Sequence, residues 1–93
     1  MDSLKQSPGF VVEEMGDEIL LYRPSTHKAI HLNETAAVIW KLCDGTRTVK
    51  DLVDCMLAEY PSAQSSIPHE VQQAIEFLLR DGALVEHSSK SSS

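Results

Sequence analysis

The feature that most constrains this chain is a single change of hydrophobic period near Asn33. Before it the apolar residues follow strand-like runs, and after it they recur at helical spacing. Phe10-Val11-Val12-Glu13-Glu14-Met15 is rich in β-formers, Gly16-Asp17 supplies turn chemistry, and Glu18 to Arg23 continues as a second strand, which together read as a hairpin. Pro24-Ser25-Thr26 interrupts the pattern before His27-Lys28-Ala29-Ile30-His31-Leu32, a third strand with Ile30 and Leu32 on one face and Ala29 and His31 on the other. The expected product is a three-stranded antiparallel meander.

Three helices follow. Asn33 is an N-cap, and Ala36, Ala37, Ile39, Trp40 and Cys43 carry the first helix to a stop at Asp44-Gly45. Thr48 with Asp51 forms a carboxylate variant of the capping box ahead of the stripe Leu52, Val53, Met56 and Leu57. Ser62 to Ser66 reads as loop, Pro68 suits a first helical turn, and Val71, Ala74, Ile75 and Leu78 define the core face of a third helix closed at Asp81-Gly82. That helix carries more apolar surface than one core face needs. Counting from Val71, Leu79 lies ~80° and Phe77 ~240° around the axis, so one flank is available to line a groove. Ala83 to Glu86 adds a short strand or an apolar strap.

Strands followed by helices give an α+β domain, most economically a winged-helix-like one with a three-stranded antiparallel sheet followed by three helices. The folded domain is expected over residues 9–86, with a flexible N-terminus over 1–8 and a disordered serine-rich tail over 87–93. A chain of 93 residues buries roughly 60% of its unfolded surface as one core and leaves no room for a separate catalytic lobe. At 42% hydrophobic and 24% charged it has the composition of a globular domain.

The net charge of -6, from fourteen acidic and eight basic residues, opposes the phosphate neutralisation on which nucleic-acid affinity depends. No apolar run approaches the ~20 residues of a membrane span and no signal-peptide pattern is visible, so a cytoplasmic protein is expected. Cys43 and Cys55 each fall in an amphipathic helix and read as reduced core thiols. His27 and His31 share strand parity, but without an accompanying carboxylate or CxxC pattern they make no metal site. Pairing Cys43 with either histidine for nucleophilic catalysis has no support from spacing or local glycine. Phosphate loops, nucleophile elbows and metal-ligand clusters are absent, so neither enzyme activity nor a cofactor is expected.

The run Leu32-Asn33-Glu34-Thr35-Ala36-Ala37-Val38-Ile39-Trp40-Lys41-Leu42-Cys43-Asp44-Gly45-Thr46-Arg47-Thr48-Val49 resembles the family of pyrroloquinoline quinone biosynthesis protein D (PqqD). The likeness extends more loosely from Phe10 to Glu86. Much of the motif is structural: Asn33 and Thr48 cap, Ala36 and Ala37 permit close packing, and Gly45 terminates. Where an aromatic residue is usual after the last glycine, this chain has Ala83.

The resemblance implies a non-catalytic peptide chaperone that binds the leader of a ribosomally made precursor and presents it to a modifying enzyme, either a radical S-adenosylmethionine enzyme or a leader peptidase. It further implies that the leader adds as a strand beside His27, Lys28, Ala29, Ile30, His31 and Leu32, in a groove flanked by Val71, Gln72, Ile75, Glu76 and Leu79. An open strand edge offers unpaired backbone groups for register, and adjacent pockets select side chains.

Two rivals use the same features. A DNA-binding regulator would place the third helix in the major groove, but Glu70, Glu76 and Asp81 against Arg80 alone would repel phosphate. A structural domain would pair the same edge with a second copy, giving a homodimer.

Overall fold

The computed structural model describes residues 3–87. Its elements run β1 (Ser3–Gln6), β2 (Val11–Met15), β3 (Glu18–Arg23), β4 (Lys28–Leu32), α1 (Glu34–Leu42), β5 (Asp44–Arg47), α2 (Val49–Glu59), α3 (Ile67–Arg80) and β6 (Leu84–His87). The α+β class expected from the sequence is what the chain adopts, but with two antiparallel three-stranded sheets, ordered β2-β3-β4 and β5-β1-β6.

The meander forms as its sequence dictates. Met15 pairs with Glu18 across the two-residue turn Gly16-Asp17. Gly16 holds a φ of 66° there, a conformation that costs glycine little and lets the strands keep their twist. β3 is the central strand and alternates strictly. Ile19 and Leu21 are buried, and they face Leu32 and Ile30 of β4 across the ladder.

These four side chains form the floor on which α1 packs through Ala36, Ala37, Ile39 and Trp40. Leu52 and Met56 of α2 and Ile67, Val71, Ile75 and Leu78 of α3 join them, and Leu4, Cys43, Ala83 and Leu84 complete the core. Full burial of a Leu or Ile side chain is worth ~1.5–3 kcal/mol each, so this single cluster dominates the stability of the domain.

The caps read from the sequence are made. Asn33 Oδ1 accepts from Ala36 N at 2.9 Å, and Thr48 and Asp51 exchange side chain-to-backbone bonds at both ends of a capping box. Helix α3 closes through Asp81 N to Phe77 O and Ala83 N to Leu78 O, with Gly82 at a φ of 83° in the position where a left-handed residue releases the chain.

The structure departs from expectation at the N-terminus. Of the segment expected to be loose, Ser3 to Gln6 is β1, the central strand of the second sheet, with Leu4 buried at 3% exposure. It is held by partners distant in sequence: Ser3 Oγ donates to Gly45 O at 2.6 Å, Gln6 Nε2 to Trp40 O at 2.9 Å and Ser7 N to Ala83 O at 3.0 Å.

The glycine stop after α1 therefore opens directly into β5, and the apolar strap near residue 84 is β6, paired to β1 from Ser3↔His87 to Gln6↔Leu84. Trp40 Nε1 donates to Ala83 O at 3.0 Å in the interior and ties α1 to this second sheet. The expected tail, apart from His87 in β6, lies outside the described residues, as do Met1 and Asp2. Among the described residues no helix is long and apolar enough to cross a membrane.

Candidate functional site

Both outer strands of the β2-β3-β4 sheet have a free hydrogen-bonding edge among the described residues. Beside β4 lies a groove of about 420 Å³, bounded by His31 from β4, by Asn33, Thr35 and Ala36 from the start of α1, and by Glu70, Gln73, Ala74 and Phe77 from α3. Ala36, Ala74 and Phe77 make its apolar floor, and the remaining residues make a polar rim.

The local reasons for this arrangement are simple. Asn33 ends β4 and caps α1 in one step, which turns the chain sharply and leaves the first turn of α1 beside the strand edge. The small side chains of Ala36 and Ala74 leave the space that larger residues would fill. On α3 the groove residues recur at i, i+3, i+4 and i+7, the spacing of one helical stripe.

The residues expected to bind separate into distinct environments. Lys28, Ala29 and His31 are exposed on β4, whereas Ile30 and Leu32 point into the core at 3% and 0% exposure, so those two can offer only backbone atoms to a neighbouring strand. His27 precedes the strand, in the turn, at a φ of 57°, with its Nδ1 3.2 Å from Tyr22 Oη. A left-handed histidine cannot continue a ladder, which places the strand start one residue later than expected.

On α3, Val71 and Ile75 are core residues. Gln72 and Glu76 are exposed and bonded to each other, Nε2 donating to Oε2 at 3.4 Å, and Leu79 is half-buried against the core. The groove uses the opposite flank. At ~100° per residue, Glu70, Gln73, Ala74 and Phe77 lie roughly half a turn from Gln72, Glu76 and Leu79. The one sequence signal for this flank was Phe77, an aromatic residue that the core stripe does not require.

Electrostatically the groove is lightly charged. Glu70 lies on its rim, and His31 Nε2 donates to Glu18 Oε1 at 2.7 Å on the solvent side of the sheet. No group of three or more His, Cys, Asp or Glu side chains able to hold a metal ion occurs among the described residues. Cys43 is buried and donates to Ile39 O at 3.1 Å. Burial, reinforced by neighbouring Asp44, pushes its thiol up to about 12, so it remains protonated and unreactive near neutral pH. What the site offers is a backbone edge, a shallow apolar floor and a few hydrogen-bonding side chains, the components of peptide recognition.

The family model described as coenzyme PQQ synthesis protein D (PqqD) matches residues 18–84. A curated protein of Methylococcus capsulatus (strain Bath) named PqqA binding protein is 39% identical over 57 residues, covering 61% of this chain and 59% of that protein. The matched region thus spans less than two thirds of the relative's length.

Among solved structures, TbiB1 in complex with the TbiA(beta) leader peptide has the same fold, with a TM-score of 0.71 at 20% identity, over 95% of this chain and 99% of the other. The heterocyclase TruD matches with a TM-score of 0.70 at 18% identity, over 99% of this chain but 12% of its own. A domain of this shape therefore occurs within a much longer chain.

Proposed function

The chain belongs to the PqqD family, and on that premise we propose that it is a non-catalytic chaperone which captures the leader of a ribosomally synthesised precursor peptide and presents it to a modifying enzyme. The observation that carries the proposal is the open edge of β4 alongside a groove of about 420 Å³. A leader segment adds to Lys28–Leu32 as a fourth strand. Its backbone supplies register through the unpaired N–H and C=O groups, and every second side chain turns toward Ala36, Ala74 and Phe77.

The curated relative is named for binding PqqA, and a chain of the same fold is described in complex with a leader peptide, which supports the same ligand class here. The partner enzyme is a radical S-adenosylmethionine enzyme or a leader peptidase, and the proposed setting is the cytoplasm, where ribosomal precursors are made.

Catalysis is left to that partner. The contacts proposed for the leader are backbone bonds and apolar packing, which position a peptide without altering its bonds. Strand addition also explains how one domain can deliver different precursors: the backbone contribution is common to them all, and the groove discriminates among side chains.

Fluorescence anisotropy of the full chain with labelled leader and core halves of the precursor encoded beside it tests the proposal. Saturable binding of the leader half, with the core half free, is expected. Equal affinity for both halves, or for neither, would overturn it.

A further inference from the structure

The β2-β3-β4 sheet has a second face that the core does not use. Residues opposite one another in the ladder share a side, so Val11, Glu13 and Met15 of β2 align with Tyr22, Leu20 and Glu18 of β3, and these with Ala29 and His31 of β4, all turned away from α1. An antiparallel sheet with one wet face ordinarily alternates polar residues outward. Here Val11 is 56% exposed, Met15 43% and Tyr22 37%. Three of the five exposed large hydrophobic side chains among the described residues lie on this face, so the exposure is concentrated rather than scattered.

The rim of this face is acidic. Glu13 lies on the edge strand between Val11 and Met15, Glu18 lies at the end of the face, where it holds His31 Nε2 at 2.7 Å, and Asp17 occupies the adjoining turn. A second copy of the chain would bring the same acids, and a net charge of -6, against themselves. Like charges across an interface oppose pairing, whereas a cationic rim on the partner favours it.

Three strands 4.8 Å apart and about five residues long present a face roughly 10 Å by 17 Å, small beside the ~800 Å² per partner of a stable complex. A strand captured on β4 widens the same face and adds its own outward side chains.

We infer that this outer face, carrying Val11, Met15 and Tyr22 with Glu13 and Glu18 between and beside them, docks the modifying enzyme through a complementary patch that sets apolar side chains beside Lys or Arg, and that the captured leader completes the surface. The inference rests on the strand-capture reading above. Its consequence is that enzyme and leader bind cooperatively: the sheet presents its full docking surface only when it carries a peptide.

The test titrates the purified modifying enzyme encoded beside this chain with the full chain, with and without the synthetic leader half of its precursor. The leader is expected to tighten enzyme binding at least fivefold. The double substitution Val11→Lys with Met15→Lys is expected to weaken enzyme binding at least tenfold while leader affinity stays within twofold, because both side chains are remote from the groove. Glu13→Lys should weaken enzyme binding several-fold and flatten its salt dependence. Amide spectra of each variant establish that the fold is kept.

Enzyme affinity of the double variant within twofold of wild type would overturn the inference. So would a wild-type dimer in sedimentation that the double variant splits, since the face would then belong to a second copy. Failure of wild type to bind leader would bring down the capture reading instead, and the enzyme arm without peptide would then decide the docking face by itself.

Discussion

The two free edges of the β2-β3-β4 sheet offer the same backbone groups but different surroundings. Beside β4 stand the first turn of α1 and the Glu70, Gln73, Ala74 and Phe77 stripe of α3. All five residues of β2 are exposed, and the strand carries Glu13 and Glu14, the latter 3.3 Å from Lys41 Nζ. Charged residues on an exposed edge discourage unwanted pairing. On the proposed reading, edge hydrogen bonding alone does not make a peptide site. The difference lies in side chains supplied by helices far along the chain, which line a groove beside β4.

Filling the groove should produce the largest change. Ala74→Arg places a long charged side chain over the apolar floor and is expected to weaken leader binding on the order of 100-fold, about 2.8 kcal/mol, by anisotropy, with a lower urea midpoint as well because Ala74 also packs against the core, so amide spectra must show that the fold is kept. If leader affinity survived, β4 would lose its distinction from β2.

Phe77→Ala removes the aromatic wall, and calorimetry should give a loss of about tenfold, ~1.4 kcal/mol. The same variant is expected to lower stability, because Phe77 also packs against the core.

A control remote from both edges is the capping box of α2. Thr48→Ala should cost about 1 kcal/mol in urea unfolding while leaving leader affinity alone. Its partner Asp51 is held below the usual carboxylate range by the hydrogen bond it accepts from Thr48 N. The unfolded chain thus takes up the proton first as pH falls. The cap's contribution is complete above the ordinary carboxylate value and disappears as pH drops through the lowered one, so an acid titration of Asp51→Asn should lack that step.

The smallest effect belongs to the other edge. Val12→Lys lies on β2, on the side facing α1 but 43% exposed, and should alter leader affinity less than twofold.

The fold was legible wherever a local signal decides local structure. Gly16-Asp17 gave the hairpin, Asn33 and Thr48 gave the helix starts, and period-two alternation gave the buried face of β4. What escaped depends on partners distant in sequence. Ser3-Leu4-Lys5-Gln6 has one apolar residue and no strand pattern of its own, and it is a strand because β5 and β6 arrive on either side of it. Asp44-Gly45-Thr46-Arg47 reads as a turn, yet Leu4↔Arg47 and Lys5↔Asp44 pairing makes it β5.

The site divides in the same way. The strand was recognisable because its alternation separates Ile30 and Leu32 from Ala29 and His31. Which flank of α3 borders the groove was not, because Val71 and Ile75 are equally apolar whether they face a core or a ligand. Which side of the core stripe borders β4 is set by how α3 packs on α1 and α2. Phe77 marked the groove side and Leu79 the other, and helical periodicity alone gives them equal standing.

An amide chemical-shift titration of the isotopically labelled chain with the leader half of its precursor tests the central claim most directly. Strand addition at β4 predicts shifts concentrated in Lys28–Leu32 and at Glu70, Gln73, Ala74 and Phe77, with β2 nearly still. Shifts along Val11–Met15 or over Gln72, Glu76 and Leu79, with β4 unchanged at saturating peptide, would contradict it.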